Sequence, residues 1–209
     1  MKKILAKLAF VSSRQIVSFF KNRQGVAMTE FAMMLPLLMM IAAGSFEVAR
    51  YALIVQKLDR IVATLSDLVA RSGSENMTEL QVANILDSAY YMARPFDITG
   101  ESMMILTSVE GRSNRAPEIL SQRVEGDVTG KESTLGTTIN GDATLPSAFP
   151  DAGGGETLAD GETLIVAELY YNYEPYLLSD LGFFGDSIFY RTAYFRPRFT
   201  DRITFPAAP

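Results

Sequence analysis

The chain has 209 residues, with 19 basic and 24 acidic side chains and no histidine, cysteine or tryptophan. Those absences exclude a thiolate nucleophile, a disulfide, a Cys/His zinc site, a Ser-His-Asp triad and an imidazole general base. The net charge of −5 is split unevenly: Lys2, Lys3, Lys7, Arg14, Lys21 and Arg23 give the first 25 residues +6, and the 13 basic and 24 acidic residues that follow sum to −11. Such asymmetry points to export or a membrane, and the acidic body lacks the basic footprint of a nucleic-acid binder.

After the basic leader, residues 1–25, comes an apolar run. No residue from Phe31 to Phe46 is charged, and Val26 to Phe46 is 21 residues. As a helix this is about 31 Å at ~1.5 Å per residue, matching a hydrocarbon core of about 30 Å. Six basic residues before the run and only Glu47 and Arg50 close behind it predict a cytoplasmic N-terminus and an exported C-terminal part. Two features are unusual for a plain anchor. Glu30 is a carboxylate at the edge of the run, costly at membrane depth without a partner. Pro36 lies inside the run and frees the carbonyl of Ala32.

The string Arg23-Gln24-Gly25-Val26-Ala27-Met28-Thr29-Glu30-Phe31-Ala32, followed by Met33-Met34-Leu35-Pro36, resembles the class III prepilin cleavage motif. More closely, it resembles the N-terminus of TadE-like proteins of the tight-adherence pilus system. The resemblance implies cleavage between Gly25 and Val26, with Glu30 as mature residue five, Phe31 as residue six and Pro36 in the apolar helix. Two alternatives stay open. In a simple signal anchor, Gly25 and Glu30 are coincidental. A cleaved secretory signal would use Ala42, Ala43, Gly44 and Ser45, but its basic region of about 30 residues is longer than such signals carry.

From Glu47 to Arg71 there is neither Pro nor Gly, and the pattern turns amphipathic. Val48, Tyr51, Val55, Leu58, Val62, Leu65 and Val69 form a heptad seam that Ile54, Ile61 and Leu68 widen. The spacing predicts one helix from Val26 to Arg71, about 69 Å at ~1.5 Å per residue. It is stopped by Ser72-Gly73-Ser74. The outer stripe must pack on the chain's own C-terminal domain, on other subunits, or on both.

Residues 72–209 read as an exported α+β domain. Thr78 and Gln81 spell a capping box for a helix from Glu79 to about Ala93, ended before Pro95. Met103 to Val109 reads as a strand and Glu118 to Val124 as a weaker one. Residues 125–161, rich in Gly, Thr, Asp and Pro, read as a long surface loop. Thr163–Tyr173 and Ser187–Phe199 are the strongest strand candidates, expected to pair as antiparallel neighbours. If Glu168 faces Arg191 across that pair, the two form either a cross-strand ion pair or two separately solvated charges. Residues 163–198, with Val166-Ala167-Glu168-Leu169-Tyr170-Tyr171-Asn172-Tyr173, Phe183-Phe184-Gly185, Arg191-Thr192-Ala193 and Arg196-Pro197-Arg198, also resemble the closing hairpin of TadE-like proteins. The fold expected is therefore α+β and pilin-like: a long transmembrane and amphipathic helix, then a small antiparallel-sheet domain.

Other motifs fail on inspection. Gly126-Asp127-Val128-Thr129-Gly130-Lys131-Glu132 lacks one spacer of a P-loop and the Ser or Thr that binds magnesium. Gly153-Gly154-Gly155 precedes no helix. Asp142, Asp151, Glu156, Asp160 and Glu162 do not follow the EF-hand pattern and read as a solvated acidic loop. Tyr170, Tyr171, Tyr173, Tyr176, Tyr190 and Tyr194 offer either a binding face or, as such sets more often do, half-buried sheet surface. No cofactor, metal or catalytic residue is expected.

By resemblance, the chain is a structural minor pilin-like subunit, a pseudopilin, spanning the bacterial inner membrane once with its C-terminal domain in the periplasm. Its implied partners are a prepilin peptidase that cuts it, a sister pseudopilin and major pilin, the inner-membrane assembly platform and membrane lipid. The alternative is an unprocessed single-pass anchor holding a periplasmic binding or adhesive module.

Overall fold

The computed structural model describes residues 25–113, 115–146, 158–176 and 187–206. The leader apart from Gly25, the Gly153–Gly155 run, Asp151, Glu156 and Phe183-Phe184-Gly185 lie outside the described residues. The chain divides into two units, Met1–Glu47 and Val48–Pro209.

Helix α1 runs from Val26 to Ala70 with Pro36 inside it. In the first unit its apolar side chains are exposed all round, among them Met28, Phe31, Met33, Leu37, Met39 and Ile41. A helix that is apolar on every side needs lipid or other protein around it. This stretch is long and apolar enough to cross a membrane.

In the second unit α1 is amphipathic. Ile54, Leu58, Ile61, Val62, Leu65 and Val69 are buried, so the predicted seam packs on the chain's own domain. Its first members, Val48 and Tyr51, stay exposed. Helix α2 spans Glu79–Ala93, and both bonds of the Thr78–Gln81 capping box are made. Val82, Leu86, Ala89 and Ala93 line its buried face at helical spacing.

Four antiparallel strands follow: β1 Ser102–Arg112, β2 Arg115–Gly126, β3 Thr163–Tyr173 and β4 Ser187–Phe195, in the order β2-β1-β3-β4. The expected β3–β4 pairing is present, and the weak strand predicted at Glu118–Val124 is one arm of a hairpin with β1. One face of the sheet carries Met104, Leu106, Ile165, Ala167, Leu169 and Phe189 into the core with α1 and α2. Burying each such side chain stabilises the fold by about 1.5–3 kcal/mol. Arg123 of β2 ties α2 to the sheet by a two-pronged bond to Glu79, at 2.6 and 3.3 Å.

On the opposite face, the described part of the expected loop at 125–161 has no helix or strand beyond Gly126, as expected, but it is packed on the sheet and not free at the surface. β2 extends to Gly126, and the segment 127–146 then lies on the sheet as a cover. Val128 packs with Met103, Ile105 and Tyr170. Leu135, Ala143 and Leu158 pack with Val109, Ile119, Leu164 and Val166. The cover also bonds to β2: Asn140 N–H donates to the carbonyl of Ile119 at 2.8 Å and Ala143 N–H to that of Pro117 at 2.7 Å. Three buried apolar residues, Val128, Leu135 and Ala143, separated by Gly, Thr and Asp, have no strand or helix period, which is why the segment reads as loop. Gly126 closes the β2 end with φ 79°, and a Cβ there would sit 2.2 Å from the carbonyl oxygen of Ser102.

After β4 the chain returns to the core. Ile203 and Phe205 are buried, Ser108 Oγ donates to the carbonyl of Ile203 at 2.6 Å, and Thr204 bonds in both directions with the Glu75–Met77 segment.

Candidate functional site

Gly25 directly precedes Val26, the first residue of α1. A Cβ built at Gly25 meets nothing within 4 Å. Packing among the described residues does not ask for glycine there. Thr29 Oγ1 donates to the carbonyl of Val26 at 2.8 Å, closing the first turn of the helix. Glu30 lies one turn beyond Val26, on the same face, and both are exposed. Phe31 is exposed beside it, and Pro36 interrupts the hydrogen-bond ladder a further turn and a half on. The junction therefore presents glycine, carboxylate and aromatic ring on an accessible helix start.

The expected Glu168–Arg191 ion pair is not formed. Glu168 aligns with Thr192, and Arg191 aligns with Leu169. That offset of one residue places Glu168 and Arg191 on opposite faces of the sheet. Arg191 Nε pairs instead with Asp59 of α1 at 2.9 Å. Glu168 is fully buried under the cover segment. Its carboxylate accepts from Ser133 Oγ at 2.5 Å, Thr134 N–H at 2.9 Å, Thr134 Oγ1 at 2.7 Å and Tyr190 OH at 2.8 Å. Burial is the main reason the Tyr190 phenol is pushed well above its ordinary range; the Thr134 hydroxyl eases the shift and the Glu168 charge adds to it. Ser133 and Thr134 were not distinguishable in the sequence from any other polar loop pair.

Of the acidic residues read as a solvated loop, Asp142, Asp160 and Glu162 have structural partners. Asp142 and Glu118 both pair with Arg112, Glu162 pairs with Arg196, and Asp160 accepts the Ser113 N–H. Among the described residues, no group of three or more acidic side chains is placed to hold a metal ion. Tyr170, Tyr171 and Tyr173 are buried in the sheet, Tyr190 and Tyr194 half-buried, and Tyr176 is exposed.

These features define an α+β protein with one long apolar N-terminal helix and a small antiparallel sheet. Within that class, residues 25–64 match the family model described as TadE-like protein. The matched segment begins at Gly25 and ends within α1, so it holds the junction, the apolar stretch and part of the amphipathic extension. No curated protein and no solved structure matches the chain.

Proposed function

We propose that the chain is a minor, pilin-like subunit, a pseudopilin, that serves the assembly or initiation of an adhesive pilus of the tight-adherence type. One coincidence carries this: the TadE-like match starts at Gly25, the residue before α1, and takes in Glu30, Phe31 and Pro36. The glycine has no packing reason of its own among the described residues. A peptidase that needs a small residue at the scissile bond supplies one.

On this proposal the protein is a substrate and a building part, not an enzyme. The basic leader stays in the cytoplasm, the apolar half of α1 spans the inner membrane and residues after about Glu47 are periplasmic. A prepilin peptidase cuts between Gly25 and Val26. The freed helix then packs with a sister pseudopilin, the major pilin and the assembly platform. The test is the mass and N-terminal residue of the protein isolated from cells. The expected N-terminus is Val26. Gly25→Trp should accumulate as full-length precursor in the membrane. An intact leader in the unaltered protein overturns the proposal in favour of an unprocessed anchor carrying a periplasmic binding module.

A further inference from the structure

Where β3 ends and β4 begins, aromatic rings gather around one guanidinium. Arg50 Cζ lies 5.2 Å from the ring centroid of Tyr173 and 5.4 Å from that of Tyr176. Its Nη1 donates to the carbonyl of Glu174 at 3.0 Å. Tyr51 presents its ring edge-on to Tyr173 and Phe189, with centroids 5.7 and 5.0 Å apart. The inner rings of this cluster are buried, yet Tyr51 is 45% and Tyr176 is 74% exposed. Rings of this kind, apolar in the body and polar at the hydroxyl, suit the boundary between hydrocarbon and water.

Chain connectivity bounds how far Arg50 and Tyr51 are from the end of the apolar run. Arg50 and Tyr51 follow Phe46 by four and five residues. Those five residues rise only about 8 Å in a helix and span under ~19 Å even fully extended. The headgroup layer reaches about 5–8 Å beyond the hydrocarbon core on each side. The opposite end of the sheet is different in character: it carries the Glu162–Arg196 and Arg112–Asp142 pairs.

We propose that the Arg50–Tyr51–Tyr176 patch seats the exported domain in the phospholipid headgroup layer of the membrane that α1 crosses. The phenol rings of Tyr51 and Tyr176 sit at the boundary between hydrocarbon and water, and the Arg50 guanidinium holds the rings of Tyr173 and Tyr176 together. This rests on the membrane-anchor reading of residues 26–46 and adds a second, peripheral contact to it. The contact holds the domain at a set height on the bilayer until assembly lifts the subunit away.

The chain contains no tryptophan, so single Trp variants each report one place. The full chain is reconstituted in phosphatidylethanolamine–phosphatidylglycerol vesicles holding lipids with a nitroxide on the headgroup or midway down the acyl chain. Tyr176→Trp should lose emission to the headgroup nitroxide. Ile139→Trp, an exposed site on the cover beside Ile119, should keep its emission. Met39→Trp should lose emission to the acyl-chain nitroxide. If Met39→Trp is not quenched, the anchor fails and the proposal falls with it. If Met39→Trp is quenched and Tyr176→Trp is not, the headgroup contact alone is overturned. Shielding of Tyr176→Trp from aqueous iodide as well as from the headgroup label would show the ring covered by protein, and that result also overturns the contact. Equal quenching of Ile139→Trp and Tyr176→Trp also overturns it, because adhesion would not be local to the patch.

Discussion

Glu168 shows how a single side chain can organise a segment that has no secondary structure of its own. Three of its four bonds come from Ser133 and Thr134 on the cover, and the fourth from Tyr190 on β4. Hydrogen bonds to a charged group contribute about 1.5–3 kcal/mol each, and a buried donor left without an acceptor costs about 1–3 kcal/mol. Glu168→Ala strands several donors at once, so the cover should open locally by about 3 kcal/mol. In hydrogen exchange on the full chain, the Thr134 N–H should exchange about 100-fold faster in that variant. Tyr190→Phe removes one donor and should raise the rate only about 5-fold, equivalent to about 1 kcal/mol. Unchanged exchange at Thr134 in Glu168→Ala would show that the apolar contacts of Val128 and Leu135 hold the cover unaided. The sequence made Glu168 conspicuous, as a charge in the strand Thr163–Tyr173. It could not supply the partner. Arg191 was the nearest opposite charge in chain order, but β3–β4 register moves it to the α1 face.

At the scale of elements, legibility followed periodicity and caps. α2 was predicted to its ends because Thr78 and Gln81 mark its start and Pro95 forces its stop. β3 and β4 were legible through runs of β-branched and aromatic residues, and the outer part of α1 through Leu58, Val62, Leu65 and Val69. The cover 127–146 was not, since its apolar residues are set by contacts with a sheet face far away in sequence. At its membrane end the seam thins out: Val48 obeys the heptad but is exposed, and Tyr51 reaches the core only with its ring, edge-on to Tyr173 and Phe189, and stays 45% exposed. Gly25, Glu30 and Pro36 stand out by motif alone, whereas the grouping of Tyr51, Tyr173 and Phe189 around Arg50 is not readable in the sequence because its rings converge from three separate elements. The capping box gives a direct test of how much the local signal contributes. Thr78→Ala removes the acceptor for the Gln81 N–H and should cost about 1 kcal/mol. Urea unfolding of the full chain in detergent, followed by circular dichroism, should show a lower midpoint. An unshifted midpoint would mean that the Arg123–Glu79 bond and the buried face of α2 set its start without the cap.

For the whole molecule, the decisive charge is Glu30. Among the described residues it stands at the start of an otherwise apolar exposed stretch, one turn from Val26. On the proposed function, cleavage turns Val26 into a chain terminus and puts an ammonium at the membrane edge. An isolated carboxylate and an isolated ammonium are each expensive there, and each offsets the other's cost when they meet. Four residues of helix separate them by about 6 Å of rise, so contact is reachable within one chain or between neighbours staggered by one turn. The intersubunit form also sets register, because only one stagger neutralises both charges. Glu30→Gln should therefore still insert in the membrane and still be cut after Gly25, since the segment only becomes more apolar. It should lose crosslinks to partner pseudopilins and reduce piliation in cells. If Glu30→Gln protein is processed, crosslinked and piliated like the unaltered chain, the carboxylate merely rests among lipid headgroups and register must come from the packing of the Met33–Ile41 surface instead.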